Sequence, residues 1–338
     1  MQHAVGIYHF PRKALHVVAI ITTLLTFLLV CSGGLVTSKG VGLSVPDWPT
    51  TYGYNMFLFP ISRWVGGIFY EHTHRLLASA IGLITFFIGL LTLYFEPRRW
   101  VRFLALAAVI AVVIQGLLGG LRVTLYKDEI GIFHAILAQS FFSLLVIFSV
   151  VTSPAFISEH WFNDSSAAKL RWLALAGVVL AYFQLIVAAI MRHAHTGLSI
   201  PDFPTAYGHF FPNISTSALA AINTDRLTHM MMATTSFQIV LQMIHRGGAI
   251  LLFGIVVLLL IRSREFLPLK HWAYRWSLYW CLLLLFQITL GAWTIWSNKA
   301  ADVATAHMAL GSIALAGSIL FTFRLFSCAE EKEKQGNF

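Results

Sequence analysis

The sequence predicts an all-α integral membrane protein of eight transmembrane helices, arranged as two tandem four-helix bundles related by a pseudo-twofold axis along the membrane normal. Three observations predict it. Apolar residues make up 58% of the 338-residue chain and charged residues 11%, with a mean hydropathy of +0.75, whereas a soluble domain carries about 25% charged residues to cover its surface. Apolar stretches near the roughly 20 residues that cross a bilayer recur eight times along the chain. Finally, the phrase Gly42-Leu43-Ser44-Val45-Pro46-Asp47-Trp48-Pro49-Thr50-Thr51-Tyr52-Gly53 returns as Gly197-Leu198-Ser199-Ile200-Pro201-Asp202-Phe203-Pro204-Thr205-Ala206-Tyr207-Gly208, nine of twelve positions identical at an offset of 155.

The apolar stretches fall at 14–37, 68–93, 101–122, 130–152, 171–192, 240–261, 272–296 and 302–326. The first exceeds the roughly 7–15 residues of a signal-peptide core and lacks a small-residue cleavage site, which predicts a retained first helix. Four helices per copy make an N-terminal unit at 14–153 and a C-terminal unit at 171–326, with 327–338 as a solvated cytoplasmic tail. An even number of helices per copy sends both copies into the membrane the same way round, hence the axis along the normal and not an inverted repeat. With both termini inside, fourteen Lys and Arg lie on the inner side (Arg12, Lys332 and Lys334 among them) against seven on the outer side. The positive-inside rule therefore puts the N- and C-termini in the cytoplasm and the two long connections, 38–67 and 193–239, outside. A short N-terminus without an Arg- and Ser-rich presequence points to a bacterial inner (plasma) membrane.

The net charge of +9 is spread as loop-end Lys and Arg, with no basic patch, so nucleic acid is not expected as a partner. Cys31, Cys281 and Cys328 sit in or beside apolar runs without metal-ligand spacing and read as packing residues.

Among fourteen histidines, His3, His9, His16, His160 and His271 belong to the inner side and need no special role. His74, His134, His245 and His307 differ. Each lies 4–6 residues inside the outer end of an even-numbered predicted helix, at a common depth of roughly 6–10 Å. The landmarks around them duplicate too: His74-Arg75 matches His245-Arg246, and Gln115 with Gly119 matches Gln287 with Gly291. Within each copy the second and fourth helices run in the same direction, so their histidines face each other across a bundle, an arrangement that suits the two axial positions of a haem iron. A lone helical histidine is more simply a packed residue bonded to a carbonyl. Four at one depth, repeated by duplication, are costly in a membrane without a function. Zinc fits less well, because each copy offers two such histidines and no carboxylate or thiolate pair. Arg75 and Arg246 are candidates to pair with haem propionates, the alternative being long side chains reaching for the interface. The outer cluster Arg192-His193-Ala194-His195 is a further haem-edge candidate, with loop-end polarity as the plainer reading. Asp47 and Asp202 are expected to structure the outer connections.

The two copies are not equivalent. Three residues before His74, on the same helix face, stands Glu71; the matching position before His245 is Gln242. A carboxylate beside a haem can take a proton or stabilise a developing cation, and an amide of the same shape cannot ionise. The alternative for Glu71 is a carboxylate favoured by a helix N-terminus.

These phrases together, GLSVPDWP and GLSIPDFP, Glu71-His72-Thr73-His74-Arg75, Ile244-His245-Arg246, His134-Ala135-Ile136-Leu137-Ala138-Gln139 and Thr305-Ala306-His307, resemble the haem A synthase family over essentially the whole membrane portion. The resemblance implies oxidation of the C8 methyl group of haem O to a formyl group by successive hydroxylations, with water as the proposed oxygen source. It implies a C-terminal half holding a permanent haem b on His245 and His307. The N-terminal half would receive haem O at His74 and His134, with Glu71 as the catalytic carboxylate. The lipid bilayer, haem O synthase and cytochrome oxidase assembly factors are the implied partners, with an unnamed electron acceptor; a homo-oligomer stays open. One departure is plain: some members carry an outer-loop cysteine pair, and here neither 38–67 nor 193–239 contains cysteine. Two rival readings share the four histidines, an electron-transferring b-type cytochrome and a haem transporter or chaperone. Neither gives a reason for Glu71 against Gln242.

Overall fold

The computed structural model of the chain describes residues 2–157 and 164–335, with side chains over 13–156 and 164–328. His160 and residues 336–338 lie outside the described residues, as do the side chains of His3, His9, Arg12, Lys332 and Lys334. Among the described residues, ten α-helices follow in order: α1 (Gln2–Ser38), α2 (Gly66–Phe95), α3 (Arg99–Leu125), α4 (Asp128–Val151), α5 (Pro154–Ile157), α6 (Arg171–His193), α7 (Thr216–Thr228), α8 (Ser236–Phe266), α9 (Trp272–Trp296) and α10 (Ala301–Gln335). Eight of the helical segments are long and apolar enough to cross a membrane, and no strand occurs among the described residues. The chain is an all-α, multi-pass membrane protein.

Each half closes on itself. In the first, α1 packs on α2 and α4, and α3 packs on both α2 and α4; in the second, α6 packs on α8 and α10, and α9 on both α8 and α10. The halves meet through α1 on α10, α4 on α10 and α4 on α6. Half of the α10 span is therefore buried, against 17% of α3 and of α8, which face outward with apolar side chains such as Phe103, Ile110, Ile250 and Leu251.

Six of the eight spans begin earlier than their apolar runs suggest, whereas α6 and α9 begin where expected. Hydropathy stops at the first polar residue, but a polar first turn is well suited to a helix start. Asp128 and Glu129 open α4, where the dipole favours acids. Thr235 and Gln238 form a reciprocal capping box ahead of α8. The earlier starts place His134 and His307 about 9 Å, and His74 and His245 about 12–14 Å, from their helix N-termini. His74 and His245 thus lie deeper than the roughly 6–10 Å read from the sequence, whereas His134 and His307 lie within it. The final helix also runs through Gln335, past the end expected at 326.

Packing is uneven along the bundle. Towards the face that carries the termini the interior is solid: Trp280, Phe321, Leu325 and Leu259 in one half, Phe148, Ile88, Leu15 and Phe156 in the other. Close approach is bought there with glycine, as where Gly177 lies against the Trp280 indole. Towards the face that carries the long connections, the interior opens into a cavity.

Candidate functional site

The repeated phrase folds into the same tight loop twice. Asp47 accepts hydrogen bonds from the backbone N–H of Tyr52 (2.7 Å) and Gly53 (2.9 Å) and from the Thr50 hydroxyl (2.5 Å). Asp202 does the same with Tyr207 (2.7 Å), Gly208 (2.9 Å) and Thr205 (2.6 Å). Burial pushes both carboxyls up, but these bonds outweigh it and hold them below the usual carboxylate range. Gly53 and Gly208 have φ of +77° and +78°, which glycine tolerates without cost. The tyrosine hydroxyls complete each loop by donating to the carbonyls of Ser44 and Ser199.

Two side chains on each second helix hold these loops. Arg75 donates to the carbonyls of Val45 (2.7 Å), Asp47 (2.6 Å) and Thr50 (3.2 Å). Arg246 donates to those of Asp202 (2.7 Å) and Thr205 (2.8 Å). Glu71 accepts from the Val45 N–H at 2.9 Å, and Gln242 accepts from the Ile200 N–H at 2.8 Å while returning a bond to the Ile200 carbonyl at 3.3 Å. The tether is common to both halves; the charge is not. Glu71, 4% exposed, also takes a 2.6 Å ion pair from Arg75.

Glu71, His74, Arg75, His134, Arg192, His193, His245, Arg246 and His307, the residues singled out from the sequence, all line one continuous cavity of about 1450 Å³. That exceeds the roughly 300–1,000 Å³ of an ordinary ligand pocket. His134 and His307 share matched backbone bonds, since Gln115 donates to the His134 carbonyl (3.0 Å) and Gln287 to the His307 carbonyl (2.8 Å). Glycines let the rings lie flat on neighbouring helices: a Cβ on Gly119 or Gly291 would stand 3.4 or 3.1 Å from Cε1 of His134 or His307. The His245 and His307 rings face each other with centroids 6.5 Å apart and planes at 88°.

A cationic rim crosses the junction between the halves. Arg192 on α6 donates to the Gly34 carbonyl (2.6 Å) and the Ser38 hydroxyl (2.9 Å) of α1. His193 is wedged against Gly131 of α4, and Arg122 and Lys299 line the same wall. Burial, then the Arg192 guanidinium, push the Lys299 ammonium below the usual lysine range.

The sequence matches the COX15-CtaA family, described as cytochrome oxidase assembly proteins, over residues 59–319. The chain belongs to this family. It is 27% identical over 260 residues to heme A synthase of Shouchella clausii, covering 74% of this chain and 76% of that one. It is 25% identical over 336 residues to heme A synthase of Shewanella oneidensis, with 90% and 94% covered, and 25% identical over 300 residues to that of Bacillus cereus, with 86% of each covered. The family match spans all four cavity histidines and Glu71.

Within this family member some cavity residues escaped sequence reasoning. Arg122 and Lys299 were countable only as outer charges, although Arg122 stands seven residues after Gln115 and so on the same helix stripe. Gln184 donates to the His245 carbonyl (3.1 Å) and lines the cavity, but its counterpart in the first half is Leu29, so the repeat hides it.

Proposed function

We propose that this protein oxidises the C8 methyl group of haem O to a formyl group, producing haem A. The observation that carries the reading is the substitution of Glu71 by Gln242 at an otherwise identical tether, one in each half of a shared cavity. The N-terminal unit, 14–153, takes haem O between His74 and His134. The C-terminal unit, 171–326, holds haem b between His245 and His307, the two units being related by a pseudo-twofold axis along the membrane normal. An imidazole nitrogen sits about 2 Å from a metal it ligates, so two rings on opposite sides of one iron have centroids about 6 Å apart. The 6.5 Å between His245 and His307 fits that requirement. Among the described residues no protein group bonds the Nε2 atoms of these histidines.

When bound there, haem b supplies one-electron redox chemistry. The chain's own part is positional and electrostatic. His74 and His134 fix the substrate within reach of the Glu71 wall. With water as the oxygen source, each hydroxylation releases two protons and two electrons; the electrons leave to an external electron acceptor, and the Glu71 carboxylate takes a proton that Gln242 could not. Arg75 and Arg246 spend their terminal nitrogens on loop carbonyls. Arg192, Arg122 and Lys299 therefore offer the freer cationic surface for propionates, with His193 beside them and the Nε of Arg122 without a partner among the described residues. The lipid-facing setting supplies the isoprenoid-bearing substrate, and haem O synthase and oxidase assembly factors are the partners this role entails. The positive-inside distribution puts the cavity face outside an inner (plasma) membrane and both termini in the cytoplasm.

The test is co-expression with a source of haem O, pigment extraction and identification by mass. Hydroxymethyl- or formyl-bearing haem appearing only with intact Glu71 supports the proposal. Recovery of haem b and unchanged haem O alone makes the protein a b-type cytochrome instead.

A further inference from the structure

The two halves differ at a second place, behind the first histidine of each pair. The ends of α1 and α6 superpose in sequence at the offset of 155. Their closing bonds match, Val41 N–H to Val36 and Thr196 N–H to Met191, and so do the left-handed residues just beyond, Gly40 at φ +68° and His195 at +54°. At this offset Ser32 corresponds to Val187 and Gly33 to Ala188.

Ser32 on α1 places its Oγ 3.3 Å from Nδ1 of His74. Many hydroxyls on these helices bond back to the carbonyl four residues earlier, as Thr22, Thr26, Thr37 and Ser79 do, whereas the bond that Ser32 makes reaches across to another helix. Beside it, a Cβ on Gly33 would stand 3.0 Å from Cε1 of His74, so the bare glycine lets the ring seat against α1. The Nδ1 atoms of His134, His245 and His307 are buried without a partner among the described residues. Among the described residues, the ring of His74 alone of the four has a side-chain hydrogen-bond partner.

We propose that Ser32 is a positioning residue for the substrate site: by accepting a hydrogen bond from Nδ1–H of His74 it fixes the ring and its tautomer, leaving the Nε2 lone pair to the cavity that His74 lines. This rests on the reading of His74 and His134 as the substrate pair. A permanently filled site needs no such device, because coordination itself fixes the imidazole. A site that empties at each turnover must present a ready ligand to each incoming haem, and a neutral imidazole otherwise divides between two tautomers and several ring orientations. Partners of this kind also raise ligand basicity, and their loss typically weakens metal affinity 10–100-fold.

The experiment compares wild type with Ser32→Val (the second-half residue), Ser32→Ala and Ser32→Thr. Nitrogen-15 spectra of protein with no haem O supplied report the His74 tautomer. Titration with iron protoporphyrin then reports affinity and midpoint potential at the His74 site. In wild type the His74 proton resides on Nδ1. In Ser32→Val and Ser32→Ala it shifts towards Nε2, added haem binds about tenfold more weakly with a more positive midpoint potential, and Ser32→Thr restores both. The haem held by His245 and His307 is unchanged throughout. An unaltered tautomer in Ser32→Val overturns the proposal whatever haem does, and so does unaltered affinity and potential. If the tautomer shifts but wild type takes up no haem that His74→Ala abolishes, the substrate-site reading is what has failed, and the proposed purpose of Ser32 fails with it.

Discussion

Glu71→Gln separates the charge of this side chain from its structural role, because the second half already displays the product of the substitution. Gln242 accepts from Ile200 N–H at 2.8 Å and donates to the Ile200 carbonyl at 3.3 Å. A glutamine at 71 has the same loop backbone before it at Val45. What it loses is the 2.6 Å ion pair with Arg75, which keeps its bonds to the carbonyls of Val45, Asp47 and Thr50. A hydrogen bond to a charged group contributes about 1.5–3 kcal/mol and a neutral one about 0.5–1.5 kcal/mol, so the exchange costs about 1–2 kcal/mol. That is tolerable for a domain stable by about 5–15 kcal/mol. Removing a proton acceptor from the reaction costs about 10²–10⁴-fold in rate. The assay measures haem A formed per unit of protein together with the haem b content of the same preparation. The expected result is near-normal haem b with conversion reduced at least about a hundredfold. Conversion within about twofold of wild type at equal haem b would falsify the assignment of Glu71 as the catalytic carboxylate.

His245→Ala is expected to lose the resident haem, whereas Glu71→Ala keeps it and stops oxidation; equal loss in both, read from pyridine haemochrome spectra, contradicts the division of labour. Gly291→Ala puts a methyl 3.1 Å from Cε1 of His307 and should shift the Soret band of the resident haem, while Gly119→Ala, at 3.4 Å from His134, should act more weakly and on substrate affinity. Arg192→Met removes charge-assisted bonds from α6 to Gly34 and Ser38 of α1, and thermal unfolding in detergent should show a loss of about 1.5–3 kcal/mol per bond at most. Asp47 and Asp202 titrate below their unfolded values, so the stability they lend the loops is complete at neutral pH, begins to fall near the unfolded value of about 3.9, and is lost as pH drops through the folded one. Proteolysis of the long connections should therefore accelerate only in acid, and Asp47→Asn should show that sensitivity already at pH 7.

The helices were legible because a bilayer imposes a length and a composition that nothing else in the chain imitates. Their ends were less so. Hydropathy cannot see that Thr235 and Gln238 satisfy the first amides of α8 or that Asp128 suits the start of α4, and His74 and His245 lie deeper than apolar counting suggests. The four histidines and Glu71 were visible because duplication supplied an internal control: each landmark could be read against its own copy. The same control misled wherever only one half kept a polar group. Gln184 opposite Leu29 and Ser32 opposite Val187 leave no repeated pattern to notice, and their roles depend on which helix faces which.

Arg75 shows what composition cannot supply. From sequence it pairs with an anion, and a substrate carboxylate is a natural choice. In the structure its anion is Glu71, and its remaining terminal bonds go to the loop formed by the repeated phrase. Arg246 makes the equivalent loop bonds to Asp202 and Thr205, with Gln242 in the place of Glu71. The arginine is thus first a structural pin common to both halves, and the acid was added to, or retained beside, only one of them. Replacing Gln242 by Glu tests this directly, since Arg246 already stands where a partner would be needed. If a carboxylate and a pinned arginine suffice for the electrostatics, Gln242→Glu should fold, keep its haem, and lower that haem's midpoint potential by adding negative charge nearby. A potential unchanged from wild type would mean that the carboxylate at this tether is too distant from the ring to influence it, and Glu71 would lose its role in the first half by the same measurement.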